Sequence, residues 1–155
     1  MASASGDEFE LLIAEGDFDA VLCWFDKYPA AVRRLLTRIT YSSDVLLHKN
    51  AIVAFRVLSK ERATRTPEFF REVIRRHVWG MNDEGGNIDW SAPEIIAAII
   101  TGCPELFSDF IPIMYHAAVA EPTFHDSLYR GLEMIAEVKP DEASRFLNMM
   151  GVKKT

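Results

Sequence analysis

Proline stands at the head of one apolar-periodic segment after another in this 155-residue chain. Pro67 precedes EFFREVIRRHVWGMN, Pro93 lies in SAPEIIAAIITG, Pro104 precedes ELFSDFIPIMYHAAVAE, Pro122 precedes TFHDSLYRGLEMIAEV, and Pro140 precedes DEASRFLNMMG. Proline holds φ near its helical value and lacks an N–H that the first helical turn does not need, so this is where a helix tolerates it. Behind each proline the apolar residues recur at three-to-four spacing, as on a helix face. Other punctuation agrees. Gly16 followed by Asp17 reads as a helix end and a new N-cap, Ser42, Ser43 and Asp44 as a joint that starts VLLHKNAIVAFRVLSKE, Ser91 as the cap of APEIIAAIITG, and Gly151 as the stop of the last helix. Pro112, inside its segment, is expected to kink or split it. The one β-branched cluster, Ile95, Ile96, Ile99 and Ile100, is interleaved with alanines at helical period. The expected fold class is all-α.

Two of these segments are apolar nearly all round. From Val45 to Leu58 the apolar positions form more than a single stripe, and Ile95 to Ile100 behaves alike, so neighbours are expected to cover both helices on two or more sides. A repeat test points to stacked helix pairs. HKNAIVAFRVLSKE, WSAPEIIAAIITGC and SLYRGLEMIAEVKP align about 40 residues apart, in the range of helical solenoids, with Ala51 matching Pro93 or Ala92, these in turn matching Gly131, and Ala54, Ala97 and Met134 falling near one another.

The stretch RRHVWGMNDEGGNIDWSAPEIIAAIITGCPELF, with Asn50, Ala51 and Ala54 before it and SLYRGLEMIAEVKP after it, resembles a motif in a group of small prokaryotic HEAT-like repeat proteins. There a helix ends in Trp, an Asn-Asp-Glu turn follows, and the next helix opens with Trp and Ala-Pro-Glu. The resemblance covers the chain from about Asp44 onward. It implies an armadillo-type α-α superhelix of about four stacked helix pairs. The chain length itself suits a single domain over residues 1–155, with residues 1–6 as a flexible tail. It carries no catalytic residue across.

Charge is unevenly spread along the chain. Residues 1–28 hold seven acids and one lysine, residues 29–80 eleven lysines and arginines against four acids, and residues 81–142 twelve acids against two bases. The acidic C-terminal half argues against general nucleic-acid binding, while the basic middle keeps a local form open, as in DNA-alkylation-repeat proteins. No apolar run approaches the roughly 18 residues of a membrane span, and the acidic N-terminus lacks the layout of a secretory signal, so no membrane partner and a cytoplasmic address are expected. Cys23 and Cys103 lie far apart, with neither a disulfide framework nor a zinc spacing.

The loop WGMNDEGGNIDWSAPE (79–94) raises the sharpest question. Asn82, Asp83, Glu84, Asn87 and Asp89 could group oxygen ligands, but their spacing does not fit an EF-hand. A structural reading accounts for the same residues: Gly85 and Gly86 allow a tight reversal, Asn82 and Asp83 hydrogen-bond the helix end, and Trp79 and Trp90 clamp the joint. No metal is expected, and no cofactor. Arg71, Arg75 and Arg76 on one helix and Arg33, Arg34 and Arg38 on another could form an electropositive surface for an acidic peptide; the competing reading is solvated arginines paired with Glu68 and Glu72. His48, His77, His116 and His125 lack metal-pair spacing, and Cys103 reads as a small apolar filler.

No phosphate loop, dinucleotide fingerprint or nucleophile elbow is present, so catalysis is the minority expectation. The reading that follows is a non-catalytic, helical-repeat protein-binding or scaffold module. Its contact residues are expected to be Arg71, Arg75, Arg76, Trp79, Asn82, Asp83, Glu84, Asp89 and Trp90, and its partner a protein with an acidic segment. The exposed ends of such a stack also leave a homo-oligomer open. A second reading, by analogy of fold alone, is a bilin-lyase-like enzyme or chaperone, which would need a deep apolar pocket.

Overall fold

The computed structural model describes residues 5–82 and 89–151. Among these residues every regular element is helical: α1 (Ser5–Glu15), α2 (Phe18–Lys27), α3 (Pro29–Ile39), α4 (Val45–Arg62), α5 (Pro67–Met81), α6 (Ala92–Gly102), α7 (Pro104–Phe107), α8 (Phe110–Val119), a 3-10 turn at Pro122–Phe124, α9 (His125–Ala136) and α10 (Pro140–Met149). The all-α expectation holds. Residues 5 and 6 of the expected tail already belong to α1, and residues 1–4 lie outside the described residues.

Local chemistry explains most of the boundaries. Gly16 takes a left-handed φ of 69°, and Asp17 then accepts a hydrogen bond from Ala20 N at 3.2 Å to start α2. Asp44 Oδ1 accepts from Leu46 N at 3.0 Å and Leu47 N at 3.2 Å, which relieves two of the free amides at the start of α4. Pro67, Pro93, Pro104 and Pro140 each sit in a first helical turn. The expected split near Pro112 occurs, but ahead of it, at Ser108 and Asp109. Pro112 therefore falls in the first turn of α8, where its missing N–H costs nothing. Gly151 closes the described chain at φ 84°.

The chain divides into two compact units, residues 1–58 and 59–155, with the boundary inside α4. In the first unit α1, α2 and α3 pack together around Phe9, Ile13, Val21, Phe25, Val32, Leu36 and Ile39. The first half of α4 is tied on by polar contacts to helix ends. Asn50 Nδ2 donates to Ile13 O at 2.9 Å, and His48 Nδ1 lies 2.6 Å from Thr40 O. Both carbonyls sit where a helix runs out of internal donors.

The second unit is organised around α6, whose residues 92–101 are all buried. α5, α7, α8 and α9 pack around it, and Ser59 Oγ donates to Ile99 O at 2.7 Å. Of these, α9 makes the most extensive contact with α6. A Cβ on Gly131 would lie 3.1 Å from Pro93 O and 3.2 Å from Ala97 Cβ, so any larger residue would need the α6 backbone or Ala97 to give by a few tenths of an ångström. Next to Pro93 in the chain, Glu94 is only 5% exposed, and Arg130 Nη2 donates to its Oε1 at 3.1 Å. Ser91 was expected to cap α6; it occupies the N-cap position, but its side chain makes no capping bond. Ser127 of α9 supplies one instead, accepting from Glu94 N at 3.2 Å. Ser127, Arg130 and Gly131 therefore set the register of α9 on α6. α10 packs on α9, with Phe146 stacked on Tyr115 at 4.5 Å between centroids.

Replacing Gly131 by Leu should overpack this crossing and lower stability by about 1–3 kcal/mol, measured as a fall in the urea midpoint. An unchanged midpoint would mean that α6 and α9 can separate without cost.

Candidate functional site

The two faces of α5 are built for different tasks. Phe70, Val73, Ile74, His77 and Met81 point into the unit, at helical spacing, while Glu68, Glu72, Arg75, Arg76, Trp79 and Asn82 are exposed. His77 is the polar member of the buried stripe. Its Nδ1 lies 2.6 Å from Asp89 Oδ2, across the joint to α6. A carboxylate accepts, so Nδ1 carries the hydrogen of this bond. Gly80 makes the contact possible: a Cβ there would stand 2.8 Å from Asp89 Oδ2 and 3.2 Å from Asp89 Cβ. On the α6 side, Asp89 O accepts from Ala92 N at 3.0 Å. The joint is thus pinned on both sides of residues 83–88. Asn82, as expected, hydrogen-bonds the end of α5, its Nδ2 donating to Val78 O at 3.2 Å.

The tryptophans do not clamp the joint. Trp79 is 79% exposed and Trp90 55% exposed, while the His77–Asp89 pair makes the closure that the aromatic pair was expected to make. The reason is helical phase. Trp79 lies two residues beyond His77, on the opposite side of α5. Both rings are left on the rim of the joint.

The three arginines of α5 are placed differently. Arg71 Nη1 bonds Glu68 Oε1 at 2.6 Å, and its guanidinium lies 5.9 Å from the centroid of the Phe107 ring. Arg75 reaches Glu72 at 3.6 Å and Glu68 at 3.8 Å. Arg76 is exposed and makes no ion pair among the described residues. The pairing with Glu68 and Glu72, raised from the sequence as the competing reading, is what Arg71 and Arg75 do. Arg33, Arg34 and Arg38 lie on α3 in the other unit, the first half-buried and the others exposed. Asp83, Glu84 and Asn87 lie outside the described residues.

Among the described residues no three His, Cys, Asp or Glu side chains come together as a metal site. His125 Nε2 lies 2.7 Å from Val119 O, and His116 packs its ring edge-on to Tyr115. Cys103 is 5% exposed, and burial, reinforced by its hydrogen bond to Glu105, pushes its thiol pKa upward. A raised pKa means less thiolate at a given pH, the reverse of an activated nucleophile. No helix among the described residues is long and apolar enough to cross a membrane. Comparison with protein-family models, with curated proteins and with solved structures finds no match to this chain.

Sequence reasoning chose Asp89 and passed over His77, its partner. The signal was present: Phe70, Ile74, His77 and Met81 share a stripe, and a histidine inside an apolar stripe needs an acceptor. Glu94, Ser127 and Arg130 carried no comparable signal.

Two outcomes follow from this geometry. Asp89→Ala should strip His77 of its buried acceptor and cost about 1–3 kcal/mol, whereas Asp89→Asn, which keeps an acceptor oxygen, should cost less; equal losses in chemical denaturation would show that the bond contributes little. With a thiol reagent, exposed Cys23 should react in the native protein. Cys103 should resist until the chain unfolds or the pH rises well above that needed for an ordinary thiol. Equal native rates, read by mass spectrometry, would refute that assignment.

Proposed function

We propose that this chain is a non-catalytic, helical-repeat module of armadillo or HEAT type that binds another protein through the rim of the α5–α6 joint. The carrying observation is the exposure of Trp79 at 79% and Trp90 at 55% on a joint pinned by His77 and Asp89. Tryptophan is enriched among the residues that dominate protein–protein binding, because one ring covers a large area at small cost in side-chain entropy. Two such rings on a fixed frame need little reordering on contact.

The repeat-type fold is supported by α6, buried along its length between neighbours, and by the small-residue crossing at Pro93, Ala97 and Gly131. The rim comprises Trp79, Trp90, Arg76 and Asn82. An acidic group on the partner would meet Arg76 first, because Arg71 and Arg75 are occupied by Glu68 and Glu72. Asp89 serves the site from behind, as the tie that holds Trp90 in place.

The test is affinity capture from a lysate of the source cells, with captured proteins identified by mass spectrometry. Trp79→Ala and Trp90→Ala should release a protein that wild type retains, while leaving the circular dichroism spectrum unchanged. Capture that ignores both tryptophans would exclude this rim as the contact surface.

A further inference from the structure

The outward row of α5 is complementary in charge to its own reverse. Glu68, Glu72, Arg75 and Trp79 are spaced four, three and four residues apart, so they stand in one line along the helix. All are open to solvent, with side chains of Glu68, Glu72 and Arg75 exposed by 72%, 58% and 49%, and Trp79 by 79%. The N-terminal half of the row is acidic, the C-terminal half basic and aromatic. We infer that this face docks a second copy of the chain, the two α5 helices running antiparallel about a two-fold axis between Glu72 and Arg75. The inference rests on reading the joint rim as a protein-contact surface, and it names the partner.

In that arrangement Glu72 of one copy faces Arg75 and Arg76 of the other, and Glu68 lies beside the other copy's Trp79. Every contact occurs twice, as a two-fold interface requires. Competing occupants fit less well. An acidic peptide along the row would meet Glu68 and Glu72 as well as the arginines. A basic peptide would meet Arg75 and Arg76. A parallel pairing of two copies would set like charges against each other. The ion pairs within α5 are exposed pairs of small energy, so exchanging them for pairs between copies costs little. Burial of two Trp79 rings supplies the apolar area.

Sedimentation velocity of the full chain over a concentration series tests this. Wild type should pass from monomer to dimer as concentration rises, and Trp79→Ala should weaken the dimer. The double variants Glu68→Arg/Glu72→Arg and Arg75→Glu/Arg76→Glu should each raise the dimer Kd by about a hundredfold or more, because like charges would then face each other. An equimolar mixture of the two variants should form a heterodimer. The single exchanges Glu72→Arg and Arg75→Glu provide the same test should a double variant unfold. A wild type that stays monomeric, or a mixture that fails to associate, overturns the inference. If that monomer still loses a captured protein on Trp79→Ala, self-pairing fails while the partner-binding reading stands.

Discussion

A helix with ten consecutive buried residues has no solvent face to orient it, and the packing of the second unit follows from that condition in α6. Neighbouring helices must close around it on all sides, and their fit depends on small side chains where they cross. Gly131 provides one such point, against the Pro93 carbonyl and Ala97. Apolar contact alone would let α9 slide or rotate along a surface of isoleucines and alanines. The polar contacts fix its place. Glu94, sunk at the first turn of α6, must be compensated, because a buried carboxylate without a partner is strongly disfavoured. Arg130 supplies the charge and Ser127 takes the free amide of the same residue. Three positions of α9 thereby answer two adjacent positions of α6.

The α5–α6 joint uses the same economy of means. One imidazole and one carboxylate close it, and one glycine admits them. With the closure made by His77 and Asp89, Trp79 and Trp90 keep more than half of their surface exposed. On the proposed reading, an aromatic pair held by this closure would lose less freedom on contact than one on a mobile loop. The outward row of α5 presents Glu68 and Glu72 before Arg75, which is the charge order behind the proposed self-pairing.

The helices were legible in the sequence to within a few residues, because the devices that start and stop them act over three or four positions. Asp17, Asp44, Pro67, Pro104, Pro140 and Gly151 each announced a boundary that the structure shows. Ser91 misled because the residue at the cap position and the group that satisfies the helix amide are different, the second coming from Ser127. The tryptophan pair misled for a related reason: two aromatic residues flanking a loop suggest a clamp, but the phase of α5 turns Trp79 outward. The glutamate pairing of Arg71 and Arg75 was foreseeable from spacing along a single helix.

By itself, then, the sequence determined the all-α class, the order of the helices and the all-round apolar run of α6 from Ile95 to Ile100, all of which depend on residues within a turn or two of each other. Only the tertiary structure decided what meets across the helices. The pair His77 and Asp89 is separated by 12 positions, Ser127 and Glu94 by 33, and Arg130 and Glu94 by 36. Contacts at such separations are set by the angle and depth at which helices pack. A local pattern can require that a buried histidine or glutamate find a partner, but only the packed helices select which residue it is.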